Sequence, residues 1–156
     1  MSRKKKPDRF KEVRNARARR DYFIDETLEA GIALSGTEVK SIRQGTVQIN
    51  DAFVRIDRGV PILYHAHIAA YVFGTSANHN PYRPRKLLLH KKEIRKFEQA
   101  IQSGGRTIIP LRMYFQKGLI KVEIALCRGK KQYDKREDLR KEVDLRETER
   151  TVKHHL

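Results

Sequence analysis

Histidines come first among the residues able to do chemistry. His65 and His67 stand at alternate positions, so on a strand both rings would share one face and could begin a metal site. No third ligand stands near them, and two partly exposed histidines are the favoured reading. His79 suits a loop, His90 a helix cap, and His154-His155 ends the chain with no partner that would make it catalytic. Asp51 beside Asn50 reads as a turn former. The sequence contains no G-x-x-x-x-G-K-[ST], no G-x-G-x-x-G and no H-E-x-x-H. Cys127 is the only cysteine, which excludes an internal disulfide and a cysteine-based zinc cluster and suits a reducing, cytoplasmic setting. No catalytic residue, metal site or cofactor is expected.

The chemistry on offer is instead that of charge. Of 156 residues, 35 are Lys or Arg against 19 Asp or Glu, a formal net charge of +16. Self-repulsion of that size calls for an anionic partner, and phosphate neutralisation with counterion release makes nucleic acid the first candidate. No apolar run approaches the roughly 18 residues of a membrane span, and the basic start MSRKKKPDRF leads into no apolar signal segment, so no membrane partner is expected. Glu29 is open to two readings. It could be a surface ion-pair partner, which its residue type alone favours, or an acceptor for base and ribose donors, supplying a specificity that Lys cannot.

The elements that position these groups can be read in order. Residues 1–20 hold ten Lys or Arg against Asp8 and Glu12, and residues 1–14 read as a mobile basic arm, either solubilising or RNA-contacting. Tyr22-Phe23-Ile24 begins a strand. Ile32 and Leu34 alternate with small residues, Ser35-Gly36-Thr37-Glu38 supplies a capping box, and Gly45 suits the end of the short helix. On that helix Val39 and Ile42 face inward, leaving Lys40, Ser41 and Arg43 outward. Val47 and Ile49, then Ala52, Val54 and Ile56, continue as strand, and Asp57-Arg58-Gly59 as a tight turn. Ile62, Tyr64, Ala66 and Ile68 return with period two. Val72 to Pro84 is a loop leading into Arg83-Pro84-Arg85-Lys86, a stiff basic edge. Three consecutive leucines, Leu87 to Leu89, cannot all point inward from one strand. Ile94, Phe97 and Ile101 stripe a helix that starts near His90 and ends at Gly104-Gly105. Ile109, Leu111, Met113 and Phe115 face one way on a strand, and Lys117-Gly118 turns it into Ile120, Val122, Ile124 and Leu126.

After Gly129 apolar content collapses, and residues 129–156 read as a tail that is disordered alone and helical when held against a partner. Residues 15–128 form the folded unit. The expected fold is mainly β with flanking helices, an OB-fold-like antiparallel barrel with a disordered basic C-terminal tail, although spacing alone does not separate an OB-fold from another small barrel.

Several blocks in fixed order carry a resemblance: NARARRDYFI, EAGIALSGTEVKSIRQG, NDAF, PRKLLLHKKEI and GKKQYDKR. Together they make the chain similar to the SsrA-binding protein family, small protein B. The family's fold is an oligonucleotide-binding-like barrel. Its members bind the tRNA-like part of transfer-messenger RNA and deliver it to stalled ribosomes in trans-translation. The resemblance implies that Asn15, Glu29 and Leu88 belong to an RNA-binding face, which reverses the reading of Glu29. Phosphate contacts are then expected from Arg17, Arg19, Lys40, Arg43, Arg83, Arg85, Lys86 and Lys121. Gly129, Lys130, Lys131, Tyr133, Asp134, Lys135 and Arg136 match a tail motif implied to become ordered in the mRNA path and decoding region of the small ribosomal subunit. A monomer is expected. Ala70-Tyr71 stands where Pro-Tyr is usual, Ser76-Ala77 replaces larger polar residues, and Tyr133 takes a place often held by His.

Overall fold

Alternation of apolar and polar residues builds the molecule from the strands upward. The computed structural model describes residues 12–74 and 78–130 together with Arg140 and Val143. The tail positions Lys131, Tyr133, Asp134, Lys135 and Arg136 lie outside the described residues, as do residues 1–11 and 75–77. Strands are β1 (Glu12–Arg14), β2 (Tyr22–Ile32), β3 (Val47–Gln48), β4 (Phe53–Asp57), β5 (Val60–Tyr64), β6 (His67–Ile68), β7 (Arg85–Leu88), β8 (Thr107–Gln116) and β9 (Leu119–Gly129). Helices are α1 (Ala18–Asp21), α2 (Gly36–Arg43) and α3 (Lys91–Gln102). The large sheet runs β1-β8-β4-β5-β7-β2-β9, and β9 also pairs with β8, so all its strands but β1 close into an antiparallel barrel. Closure leaves those strands no free edge.

The barrel is filled by Ala30, Val54, Leu63, Leu87, Ile108, Met113, Val122 and Ile124, joined by Ile42 from α2 and Phe97 from α3. Helix α2 begins as its sequence directs: Ser35 Oγ accepts from the Glu38 amide while the Glu38 carboxylate accepts from the Ser35 amide. Turns at Arg58-Gly59 and Lys117-Gly118 have positive φ at both residues, the geometry that matches strand twist in two-residue hairpins.

Four local expectations are corrected. The inward residues of β5 are Pro61 and Leu63, not Ile62 and Tyr64, because His65 takes φ 61° and resets the alternation before Ala66 and Ile68. On β8, Ile109 and Leu111 do not share a face with Met113 and Phe115. A bulge between Pro110 and Arg112 inserts one residue and switches the phase. Ile109 and Leu111 instead join Ala18, Ala125 and Cys127 in a second, smaller core beside α1. Ser41 is buried rather than outward. The basic arm does not extend through residue 14, for Glu12–Arg14 pair with β8 and Val13 packs on the core.

Cys127 is fully buried, and burial with the nearby Asp25 carboxylate pushes its thiol up to about 12. Native protein at pH 8 is therefore expected to resist alkylation that goes to completion in denaturant, as quantified by mass spectrometry. Rapid native labelling would contradict this packing.

Candidate nucleic-acid interface

Directly opposed residues in a sheet point to the same side, so register alone assembles the outer face. One row crosses five strands: Leu88 of β7, Gly31 of β2, Lys121 of β9, Tyr114 of β8 and Glu12 of β1. The next row holds Glu29, Glu123, Arg112 and Arg14. Leu88 is 55% exposed, while Leu87 points into the core. The leucine triplet divides as a strand requires. Gly31 keeps the surface low beside it: a Cβ there would come within 3.2 Å of Leu88 Cβ.

The electrostatics of this face are specific. Arg112 bridges Glu12 (3.2 Å) and Glu123 (3.3 Å) and lies 4.2 Å from the centre of the Tyr114 ring. The Tyr114 hydroxyl donates to Glu29, and burial together with that carboxylate pushes the phenol up to about 12. Tyr114 thereby holds Glu29 in place through one oxygen. The other carboxylate oxygen accepts nothing from the described residues and can take a ribose hydroxyl or an exocyclic amine. A free ion pair would have closed that option.

Asn15 borders the same face through a clip. Its amide donates to Leu111 O (2.8 Å), its side-chain Nδ2 to Pro110 O (2.9 Å), and its Oδ1 accepts from the Arg17 amide (3.1 Å). Asn15, Arg14 and Arg19 then line a cleft of about 290 Å³ with Arg112 and Glu123. Arg17 reaches Asp51 at 2.8 Å, both exposed. Lys86 and Leu88 share the outer face of β7. Lys40 and Arg43 are exposed on α2, over the rings of Tyr71 (5.4 Å) and Phe115 (5.9 Å).

Arg85 is a correction to the expected basic edge. It is wholly buried, its guanidinium bonded to Glu38, Ala66 O (2.8 Å) and Pro81 O (3.0 Å), so it braces the fold and offers nothing to a phosphate. Arg83 is half spent on the same carboxylate at 2.5 Å. At the other end, Gly129 is the last residue of β9, opposite Tyr22, and Lys130 donates its amide to Asp21 O and its Nζ to Arg19 O. Both are held by the barrel, which therefore extends past residue 128. Arg112, Tyr114 and Gly31 were not singled out by sequence. The alternation of Arg112 and Tyr114 with Met113 in an apolar strand is the signal that marks them as outward.

Among the described residues no group of three or more His, Cys, Asp or Glu is placed to hold a metal, and no helix is long and apolar enough to cross a membrane. A closed, strongly basic barrel with flanking helices and a polar outer face that includes the exposed Leu88 defines a protein of the oligonucleotide-binding-like barrel class. A family model described as "SmpB protein" matches residues 12–154. An SsrA-binding protein of Shouchella clausii is 52% identical over 92% of both chains, and one of Thermobifida fusca 48% identical over 98% of both. A solved structure described as "tmRNA-SmpB: a journey to the center of the bacterial ribosome" superposes with a TM-score of 0.65 at 48% identity, covering 78% of this chain and 85% of that one. The chain belongs to the SmpB family.

Proposed function

We propose that the protein is an RNA-binding adaptor that grips the tRNA-like part of transfer-messenger RNA and brings it to stalled ribosomes for trans-translation. It acts by binding, as a cytoplasmic monomer, without a catalytic step. The observation that carries the reading is the row that places Leu88, Gly31 and Lys121 side by side, with Glu29 in the row beside it. Lys121, Lys86 and Arg19 surround these groups with positive charge for phosphates, while Glu29 and Leu88 read shape and ribose or base edges. Asn15 contributes by pinning the entry to α1 beside Arg112. Lys40 and Arg43 extend the cationic surface along α2. The names of the relatives and the ribosomal setting of the solved structure support the same partners. Residues 131–136 serve as the ribosome-directed end of the chain, beginning where Lys130 leaves the barrel.

Glu29→Ala and Leu88→Ala are each expected to weaken binding of the tRNA-like fragment by about tenfold at fixed salt, with unchanged melting temperature. A dissociation constant equal to that of the parent protein would refute the assigned face. Tyr114→Phe removes the hydroxyl that fixes Glu29 and keeps the ring under Arg112. A smaller loss is expected from it, on the order of fivefold in the same titration.

A further inference from the structure

The face described above leaves an aromatic cluster at the other side of β5 unused. Where β5, β6 and the approach to β7 meet, a cleft of about 560 Å³ is lined by Tyr64, His65, His67, Tyr82, Gln48 and Asp51. Its rings fall into two groups. Phe53 stacks on Tyr64 (5.5 Å, 20°) and on His65 (5.2 Å, 29°), and His67 packs against Tyr82 at 4.9 Å. These are not core contacts: Tyr82 is 59% exposed, and His65 is exposed as well. His65 also holds φ 61°, a left-handed conformation uncommon outside glycine and one that collects at binding sites. That backbone choice turns the ring onto Phe53.

The polar groups in the cleft are suited to an edge. Gln48 offers a donor and an acceptor, and the Asp51 carboxylate keeps one oxygen open while Arg17 holds the other at 2.8 Å. Cations sit behind its lining: Arg17 on Asp51, and Arg55 5.6 Å from the centre of the Phe53 ring on which His65 stacks. A purely apolar ligand would make no use of Gln48 or of the open Asp51 oxygen, and among the described residues no group of three His, Cys, Asp or Glu is placed to hold a metal. The volume falls within the range of ligand pockets and accommodates a base with its ribose.

Resting on the reading of the protein as an RNA binder, we infer that this cleft receives one unstacked base of a single-stranded RNA segment, separate from the folded RNA gripped by the Glu29–Leu88 face. The base stacks on the exposed rings of Tyr82 and His65, and Gln48 and Asp51 meet its hydrogen-bonding edge. Stacking on aromatic side chains is the usual way that proteins hold splayed-out bases, and it tolerates any sequence.

The test uses the full chain and a single-stranded RNA hexamer carrying a central 2-aminopurine, titrated at fixed salt with and without saturating tRNA-like fragment. Tyr82→Ala and His65→Asn, the latter tolerating the left-handed backbone, are expected to weaken hexamer binding by roughly tenfold and to remove the quenching of the 2-aminopurine. Tyr82→Phe keeps a stacking ring and is expected to retain both. The hexamer should still bind when the fragment saturates the other face, and a duplex of equal length should not depend on Tyr82. Equal hexamer affinity for Tyr82→Ala and the parent, or full competition by the fragment, would overturn the inference. Glu29→Ala reports on the fragment alone, so failure of the cleft and failure of the main face give different patterns. Circular dichroism melts of each variant establish that the barrel is intact.

Discussion

Glu38→Gln is expected to destabilise the protein by about 3–5 kcal/mol at neutral pH, more than any surface substitution, as read from chemical denaturation. Glu38 and Arg85 are both fully buried and bonded to each other, with Arg83 and the Ser35 amide on the second carboxylate oxygen. Removing one charge strands the other in the interior, and that desolvation is what makes breaking such a pair costly. It also loosens three segments at once. Arg85 spans β7, Ala66 and Pro81, and Glu38 opens α2. A double variant, Glu38→Gln with Arg85→Met, is expected to lose clearly less than the sum of its singles, since no fully buried lone charge remains and Arg83 is part-exposed. A single-variant loss under ~1 kcal/mol would show that the pair does not hold these segments together.

The same carboxylate sets a pH dependence. Burial alone would push it up. Arg83, the Ser35 amide and Arg85 outweigh burial and bring it down from 4.5 to about 2. A folded-state value below the unfolded one means that the stabilisation is complete above pH 4.5 and is lost as pH falls from there towards 2. Glu38→Gln should therefore flatten the acid limb of the stability curve over that window.

The largest functional effect is expected from the far end of the chain. Replacing Asp134, Lys135 and Arg136 together with Ala should abolish peptide tagging on stalled ribosomes while leaving affinity for the tRNA-like fragment unchanged. The physical ground is a separation of tasks. The proposed grip lies on strands of a closed barrel, to which Lys130 is pinned through Asp21 and Arg19. The segment beyond is rich in charge and poor in apolar residues, and its three substituted positions lie outside that barrel. Only two of 35 basic residues are removed, so the field that draws RNA to the barrel is nearly intact. Normal tagging by the triple variant would remove the role given to the tail. A parallel loss of RNA affinity would place those residues on the grip instead.

Local rules carried much of the fold. The Ser35–Glu38 capping box, the Lys117-Gly118 turn, the inward Phe97 and Ile101 of α3 and the division of the leucine triplet all depend on residues within a few positions of each other, and each is visible in order along the chain. Resemblance named Glu29 and Leu88 without saying what surrounds them. Three features could come only from distant partners. The bulge at Leu111 inverts the faces of β8, and the positive φ at His65 shifts the phase of β5 into β6, because closing a barrel demands kinks that period-two counting cannot see. Arg85 reads as surface in any composition argument and becomes interior because Glu38, 47 positions earlier, meets it there. What the amino-acid order determined alone is therefore a small, mainly antiparallel barrel, the excess of positive charge and the anionic partner that charge requires, since propensity, pattern and net charge are sums over neighbours. The tertiary structure alone decided which cations face water and which carboxylate stays open for a donor, because burial and pairing are properties of residues brought together across the sheet.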